Sequence, residues 1–591
     1  MQKPSLLGRF LIWRLKHIRD RQFLIILSII VGLAAGFSAV IIKNLVHFIK
    51  GFLASGFGRE YHNYLYFILP AIGIFFTIVF VRFIIKEHIG HGIPKVLYAI
   101  SRTRGKIKRH NIFSSIITST LTVGFGGSVG LEGPTVVTGA AIGSNIGQLL
   151  RLDYKQIMLL LAFASAGAMA AIFKAPIAAI VFALEVIMID LTMASLVPLL
   201  IASATGAITS YLFLGQDVLY TFELKEKFIM GDIPYYILLG ILAGFVSLYF
   251  TRMYMFIERV FDKMKTWYTK LITGGLVLCV LIFLFPSLYG EGYESINISL
   301  QGDYSHLFNN SIYYEYKDNI VAVLILFFAI ILFKVVATSI TFGSGGIGGI
   351  FAPTLFIGVN TGLFFAKIIN YLNIRDISES NFALVGMAGL IAGVIHAPLT
   401  AIFLIAEITG GYELFMPLII TATISYATIK LFESNSVYTI QLAKRRQLMT
   451  HDKDKAVLLL MKVDKLIEID FNTIHPDATL GDLVKVIKKT HRNIFPVIEK
   501  DNTFRGIVLM DDIREIMFKP EMYETTYVKD LMVVPEFSIS SEDLMEDVAK
   551  KFQVSEKFNI VVLENGKYLG FISRAKMFSR YRQMLKKFSE D

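Results

Sequence analysis

Apolar stretches recur along the first three quarters of the chain. The longest can cross a hydrocarbon core of about 30 Å, which takes about 20 residues of helix, and they lie at 23–43, 64–85, 232–254, 271–286 and 319–341. Between them lie pieces broken by Gly and Pro that we predict to be too short to span alone, at 112–124, 135–150, 156–171, 176–190, 195–214, 350–370, 382–395, 398–409 and 414–432. Broken helices at membrane depth need protein or a wet cavity around them, so the pattern predicts a transporter or channel core.

The membrane part contains an internal repeat. The stretch from Ala166 to Pro176 reappears 222 residues later as Ala388 to Pro398, and Glu185 then falls on Glu407. A second block repeats 219 residues later, where Gly126, Gly127, Gly130, Pro134, Thr135, Gly139 and Gly143 correspond to Gly345, Gly346, Gly349, Pro353, Thr354, Gly358 and Gly362. Duplicated transporters bind their substrate near the membrane midplane, between the halves. We therefore predict an all-α polytopic membrane bundle of two inverted repeats, about 64–215 and 232–432, within a transport domain at 23–443.

The last quarter of the chain has a different pattern. After a linker at 444–461, which we expect to be helical, two similar units occupy 462–520 and 527–585. Each alternates helix with short apolar strands, predicted as helix 480–490 with strands 493–498 and 504–509, and helix 541–553 with strands 559–563 and 568–572. We expect the two units to pack as one cytoplasmic α/β lobe.

Composition supports a membrane protein. Hydrophobic residues make up 54% of the chain, the mean hydropathy is +0.59, and only 18% of residues are charged. The net charge of +11 lies largely beside apolar spans, so we assign it to membrane topology and not to nucleic acid. Residues 1–22 form a basic, amphipathic N-terminal segment without a cleavage site, predicted as a cytoplasmic surface helix at 5–20 or else a frayed terminus. We expect the cell membrane, with both termini cytoplasmic. The single cysteine, Cys279, excludes an intrachain disulfide and a Cys-based zinc site.

Three glycine-rich strings end in proline and precede apolar runs. They are Gly90–Pro94, Gly130–Pro134 and Gly349–Pro353. Glycine exposes backbone N–H groups, and proline suits the first turn of a helix, so each string predicts a helix N-terminus. Such an end carries roughly half a positive charge and binds anions. Several aimed at one point would hold an anion without a full positive charge, which favours rapid release.

Glu132 lies inside the second string. A carboxylate within a bilayer costs a few kcal/mol or more and is a functional candidate by default. Its charge suits the positive helix end, so it can occupy an anion site and leave when protonated. The alternative is a carboxylate that only caps the helix. Lys174, His396 and Lys334 also lie in apolar stretches. We expect such long basic side chains to snorkel to the interface, and we assign them no role.

These strings, with the later Ser436–Tyr438, resemble the CLC family of chloride channels and chloride/proton exchangers, and the tail resembles a CBS-domain pair. The resemblance implies that Glu132 is the gating glutamate. It implies that the anion is held by backbone N–H groups of Ile350 and Phe351, by the Tyr438 hydroxyl, and by the first string. It also implies a homodimer with a pore in each subunit. Chloride or a similar small anion is then the transported ion, and the bilayer is the other partner.

Two positions depart from the family pattern. The first string usually carries a serine whose hydroxyl touches the anion, and here His91 precedes Gly92. Either the His91 imidazole contacts the anion, or it turns away and only backbone N–H groups of this string bind the anion. Many exchangers carry a proton-accepting glutamate where this chain has Val186. We therefore favour a passive voltage- or pH-gated chloride channel, with an antiporter that uses another internal proton path as the alternative. Glu185 and Glu407 are predicted to be structural, buried and hydrogen-bonded.

The CBS-like units each carry half of a ribose-binding string. Unit one has Gly506, Leu509 and Asp512, which lacks the hydroxyl, and unit two has Gly570, Ser573 and Lys576, which lacks the acid. We favour a structural, dimer-supporting role over adenine-nucleotide binding at Asp512 and Ser573, and we predict no required cofactor or metal. No His-Glu-x-x-His motif argues for an enzyme. A membrane-anchored, ligand-sensing CBS protein is the remaining alternative, although an anchor needs no duplicated core.

Overall fold

The computed structural model divides into two compact units, Met1–Leu448 and Met449–Asp591, which are described separately. The described residues are 6–55, 66–87, 92–187, 193–215, 228–302, 304–309, 311–444, 457–458 and 461–589. His91 and most of the predicted linker lie outside them.

The first unit is built from α-helices. Its helices, in chain order, are α1 (Leu6–His17), α2 (Asp20–Ser55), α3 (Leu69–Val79), α4 (Ile93–Arg102), α5 (Asn111–Gly124), α6 (Glu132–Leu149), α7 (Tyr154–Phe173), α8 (Pro176–Glu185), α9 (Met193–Leu214), α10 (Ile233–Asp262), α11 (Trp267–Leu284), α12 (Tyr293–Leu300), α13 (Ile320–Gly343), α14 (Phe351–Tyr371), α15 (Glu379–Ile395), α16 (Pro398–Ile408), α17 (Phe415–Lys430) and α18 (Ile440–Lys444). A π-helical turn, Phe80–Ile85, continues α3.

Within the described residues, 7 helices are long and apolar enough to cross a membrane. They are Asp20–Leu53, Tyr154–Phe173, Ser195–Leu214, Met230–Asp262, Trp267–Leu284, Ile320–Gly343 and Phe351–Tyr371. The prediction that 156–171, 195–214 and 350–370 are too short to span was therefore wrong. Helix α7 extends beyond the predicted run to Tyr154 and Phe173, and the Asp153 carboxylate caps its start by accepting from the Gln156 N–H at 2.8 Å.

The internal repeat is visible in the helix boundaries. Helices α7 and α15 both end at a residue in the left-handed conformation, Lys174 (φ 57°) and His396 (φ 60°), and the next helix starts at a proline two residues later. Equivalent glycines also make equivalent crossings. A Cβ added at Gly143 would lie 2.2 Å from the Leu160 carbonyl oxygen, and one at Gly362 would lie 2.1 Å from that of Phe382. Glycine thus lets α6 pack closely on α7, and α14 on α15.

Each repeat caps a helix of the other. The Glu407 carboxylate, at the end of α16, accepts from the N–H groups of Ile177 (3.0 Å) and Ala178 (2.7 Å) at the start of α8. The Glu185 carboxylate, at the end of α8, accepts from those of Leu399 (3.1 Å) and Thr400 (2.8 Å) at the start of α16. Both acids are half-buried and not fully buried as predicted, and the prediction that they are hydrogen-bonded is confirmed. They neutralise helix N-termini that have no other side-chain cap.

The second unit combines short helices with two small sheets. Strand β1 (Ile494–Ile498) pairs antiparallel with β2 (Phe504–Leu509), while β3 (Ser538–Ile539) runs parallel to β4 (Asn559–Glu564), which pairs antiparallel with β5 (Lys567–Ser573). Its helices are α19 (Leu480–Ile487), α20 (Met510–Ile513), α21 (Val528–Leu531), α22 (Met545–Ser555) and α23 (Arg574–Ser589). The predicted helix 541–553 begins later, at Met545, because Ser540 and Asp543 form a turn in which the Ser540 N–H donates to the Asp543 carboxylate at 3.2 Å.

Candidate functional site

Two of the three glycine strings meet through their backbones. The Gly130 N–H donates to the Gly349 carbonyl at 2.8 Å, and the Gly349 N–H donates to the Gly130 carbonyl at 2.7 Å. These residues lie two positions before the first residues of α6 and α14, one in each repeat. The paired bonds therefore bring two helix N-termini to one place inside the protein.

The third string joins the same place. Gly92, the N-cap of α4, has a φ of 52°, and a Cβ built on it would lie 3.4 Å from the Gly133 Cα and 3.6 Å from the Gly348 carbonyl oxygen. A Cβ on Gly133 would in turn lie 3.2 Å from the Gly349 Cα. Backbone can approach backbone this closely only where side chains are absent. Three helix N-termini thus converge, while the neighbouring His91 lies outside the described residues.

The side chain of Glu132 folds back into this glycine cradle. It is fully buried, and its Oε2 lies so close to Gly130 that a Cβ there would be 2.1 Å away. The carboxylate is near the backbone N–H groups of Glu132 and Ala352, and its Oε1 accepts a hydrogen bond from the Tyr293 hydroxyl. Oε2 has no hydrogen-bond partner of normal geometry among the described residues. The carboxylate therefore occupies the position where helix N-termini would hold an anion.

The other predicted anion-binding residues lie around the cradle. Ile350 is the N-cap of α14 and Phe351 its first residue, both buried, and the Phe351 ring packs against Phe173, with ring centroids 5.5 Å apart. Tyr438 precedes α18, is 5% exposed, and is close enough to Glu132 to interact with it electrostatically. Its hydroxyl is buried without a hydrogen-bond partner among the described residues. That hydroxyl is free to donate to an anion.

Val186 lies directly after α8. Its side chain is 5% exposed, and its N–H donates to the Phe182 carbonyl at 2.9 Å, so the backbone continues the helical pattern. An apolar, buried side chain there cannot carry a proton.

Sequence reasoning missed a segment that contacts the site. Tyr293 lies just after Gly290-Glu291-Gly292, in the connection between α11 and α13, and this short glycine motif was its only signal. The expectation that Lys334 snorkels to the interface was also wrong. Lys334 is fully buried in α13, and its Nζ donates to the carbonyls of Leu288 (3.1 Å) and Gly290 (2.8 Å).

The two predicted ribose-binding positions of the second unit have different surroundings. The Asp512 side chain is exposed at α20. The Ser573 hydroxyl donates to the Glu468 carboxylate at 2.6 Å, and Glu468 also accepts from Arg492 at 2.9 Å. The Arg492 guanidinium donates to Asp470 as well and lowers the pKa of that carboxyl. The Ser573 hydroxyl is therefore already engaged within the protein.

Comparison with known families identifies the chain. Residues 72–430, more than half of it, match the family model described as voltage gated chloride channel. The chain belongs to this family. Residues 463–519 and 528–582 match the CBS domain model, in the region where the paired α/β units were predicted.

Several relatives share most of their length with the chain. Proteins named H(+)/Cl(-) exchange transporter ClcA are 29% identical over 430 residues in Vibrio parahaemolyticus, covering 70% of this chain and 88% of the relative, and 30% identical over 413 residues in Vibrio vulnificus, covering 67% and 84%. A Ralstonia nicotianae relative, whose name contains "chloride channel protein ClcB-like", is 29% identical over 363 residues, covering 60% and 80%.

Solved structures share the fold. A slow cyanobacterial Cl⁻/H⁺ antiporter has a TM-score of 0.61 at 22% identity, covering 72% of this chain and 98% of that one. A eukaryotic CLC transporter has a TM-score of 0.61 at 19% identity, covering 97% and 99%. The predicted fold class, a CLC-like all-α bundle of inverted repeats with a CBS pair, is confirmed. The protein is a multi-pass membrane protein of a family that transports anions, and the preference for a passive channel finds no support among the exchange-transporter relatives.

Proposed function

We propose that this protein exchanges chloride for protons across a membrane, with Glu132 as the carboxylate that alternates between the anion site and protonation. The observation that most directly supports this proposal is the buried Glu132 carboxylate, which lies in the cradle formed by Gly130 and Gly349. A group that competes with the anion when ionised, and withdraws when protonated, links the two ions. The names of the Vibrio relatives support the same activity.

The anion site combines backbone donors with one hydroxyl. In this proposal the N–H groups of Ile350 and Phe351 and the Tyr438 hydroxyl hold chloride, with the α4 N-terminus at Gly92 and His91 completing the site. Helix N-termini supply partial positive charge, and no full cation holds the ion tightly. Tyr438 supports this role because its buried hydroxyl has no hydrogen-bond partner among the described residues.

The proton path differs from that of exchangers with an inner glutamate. Val186 cannot accept a proton, so an exchanger built on this chain must use another internal path. A passive chloride channel is therefore the second candidate, favoured by Val186 and by the name of the Ralstonia relative. We rank exchange above it because Glu132 is retained and because the Vibrio relatives are named as exchange transporters. The alternative of an anchored ligand sensor loses support, since the membrane unit itself matches the transporter family.

Reconstitution into liposomes separates these candidates. Vesicles with a chloride gradient and a membrane potential clamped at zero receive a pH indicator inside. In an exchanger, chloride movement drives protons across the membrane although no proton gradient is present at the start. A channel passes chloride without proton movement. Glu132→Gln is the control, because it removes the titratable group while keeping its shape. Chloride flux without proton movement in the wild type would replace the exchanger by the channel.

We propose further that the chain forms a homodimer with one pore in each subunit, in the cell membrane with both termini cytoplasmic. The second unit then serves as a dimer-supporting CBS pair. Cross-linking in native membranes tests the dimer, and protease access to the tail in inverted and right-side-out vesicles tests the topology. Cleavage of the tail from the outer side would refute the topology.

A further inference from the structure

Residues 288–293, here named the tyrosine strap, lead from the end of α11 to Tyr293, the first residue of α12. The Gly290 N–H donates to the Gly126 carbonyl at 2.9 Å, and the ring of Tyr289 lies so close to Gly126 that a Cβ there would be 2.0 Å away. Gly292 has a φ of 94°, and a Cβ on it would lie 2.8 Å from the Phe356 ring. The strap therefore packs so closely that side chains larger than hydrogen do not fit at Gly126 or Gly292.

Charged groups also anchor the strap. Its carbonyls at Leu288 and Gly290 accept from the buried Lys334 ammonium of α13, as given above. Glu291, which is 8% exposed, pairs with Lys50 of α2 at 3.6 Å and lies close enough to Lys334 to interact with it. A buried lysine and a nearly buried glutamate are expensive to retain unless they pair, so the network points to a fixed structure and not to an incidental contact.

The strap ends at Tyr293, whose hydroxyl donates to Oε1 of Glu132. Other titratable groups also face that carboxylate from the packed elements: Lys43 of α2, Glu291 of the strap and Tyr438 before α18. Among the hydrogen bonds of the described residues, Tyr293 supplies the one from another side chain to this acid.

We propose that Tyr293 is a positioning residue for the gate: its hydroxyl, held in place by the Lys50–Glu291–Lys334 network, keeps the ionised Glu132 carboxylate in the cradle and so sets the pH at which the gate opens. This inference rests on the proposed function of Glu132. A hydrogen bond to a charged acceptor stabilises the ionised form and does nothing for a protonated side chain that has left the cradle. The Tyr293 hydroxyl therefore lowers the pH at which Glu132 is protonated and the gate opens.

The test is the pH profile of chloride efflux from liposomes that contain the full-length Tyr293→Phe protein. The phenyl ring preserves the packing while the hydroxyl is lost. We expect the midpoint of activation to move upward by about one pH unit, the size of effect that a hydrogen bond to a charged group supports. The maximal rate at low pH should stay within about twofold of wild type, because the gate has then already left. An unmoved midpoint, or a loss of maximal rate alone, overturns the proposal.

Tyr289→Phe is the matched control. It removes a hydroxyl from the same strap at a residue that packs on Gly126, and its midpoint should stay at the wild-type value; an equal shift there would assign the effect to the strap's fold. The Glu132→Gln protein separates this inference from the proposed function. Suppose that wild-type flux depends on pH and that Glu132→Gln abolishes this dependence. If Tyr293→Phe then leaves the midpoint unmoved, only the proposed role of Tyr293 fails. If Glu132→Gln retains the full pH dependence, the gate itself fails.

Discussion

The backbones of Gly130 and Gly349 exchange two hydrogen bonds, at 2.8 and 2.7 Å, from equivalent positions of the two repeats. The pair behaves as a minimal antiparallel bridge in an otherwise helical unit. It fixes the starts of α6 and α14 relative to each other without any side chain. The space beside it is the space that Glu132 fills.

Adding a methyl group at this bridge should damage the site. A Cβ on Gly349 would lie 2.8 Å from the backbone nitrogen of Gly133, which cannot move aside as a flexible side chain could. Overpacking of this kind costs about 1–3 kcal/mol. We therefore expect Gly349→Ala to reduce chloride flux by about tenfold or more, measured by efflux from liposomes. Gly411→Ala, where nothing lies within 4 Å, should match wild type, and equal flux in both variants would contradict the prediction.

Replacing the Glu132 carboxylate by a neutral amide should remove the dependence of chloride flux on pH. In Glu132→Gln the amide cannot ionise, so the side chain no longer competes with chloride through its charge. We expect chloride flux to persist with little pH dependence and proton movement to stop. Parallel recordings of chloride efflux and internal pH across acidic to neutral solutions check both parts. Proton movement that continued at the wild-type rate would show that another acid performs the exchange.

Placing an acid at position 186 should speed proton delivery. Val186 is buried directly after α8, where many exchangers of the family carry a glutamate. Val186→Glu offers a titratable group there, at a burial cost of a few kcal/mol or more. We expect proton transport driven by a chloride gradient to rise several-fold, while Val186→Gln stays at the wild-type rate. An identical result for the two variants would mean that delivery at this position does not limit turnover.

The second unit should not respond to adenine nucleotides. The Ser573 hydroxyl is engaged by Glu468, and Leu509 supplies no hydroxyl in unit one. A ligand that binds only the folded state raises its melting temperature. We expect millimolar AMP or ATP to leave thermal unfolding of the full chain unchanged, and Leu509→Thr, which completes the string with Gly506 and Asp512, to gain a measurable shift. A clear shift in the wild type would restore nucleotide binding as a function of this unit.

Acid should weaken the second unit through Asp470. Arg492 lowers the pKa of this carboxyl in the folded protein, so folding favours its ionised form. The stabilisation is therefore present above the ordinary value of 3.8 and is lost as the pH falls through the lower folded-state value. Arg492→Met should lower thermal stability at neutral pH and converge with wild type under strong acid. Arg505→Met, which removes an exposed pair with Glu499, is the control and should change little at any pH.

Local chemistry made much of the architecture readable from the sequence. Proline and glycine act on the residues beside them, so the starts of α4, α6, α8, α14 and α16 follow from their strings. The duplication was readable because the same local requirements occur twice. Apolar runs located most of the spanning helices but underestimated α7, which extends at both ends beyond the predicted run 156–171 to Tyr154 and Phe173.

The contacts that complete the site were decided by tertiary structure. Tyr293 reaches Glu132 across 161 residues of chain, and Lys334 becomes buried because the carbonyls of a loop 44 residues away receive its ammonium group. Glu185 likewise caps a helix of the other repeat because the packing of the two repeats brings the start of α16 to its carboxylate. The sequence around a tyrosine at the start of a short helix, or around a lysine in an apolar helix, does not identify its partner, because the partner is set by how distant helices pack. The sequence by itself determined which helix ends can attract an anion; only the packed chain decided which side chains surround that place.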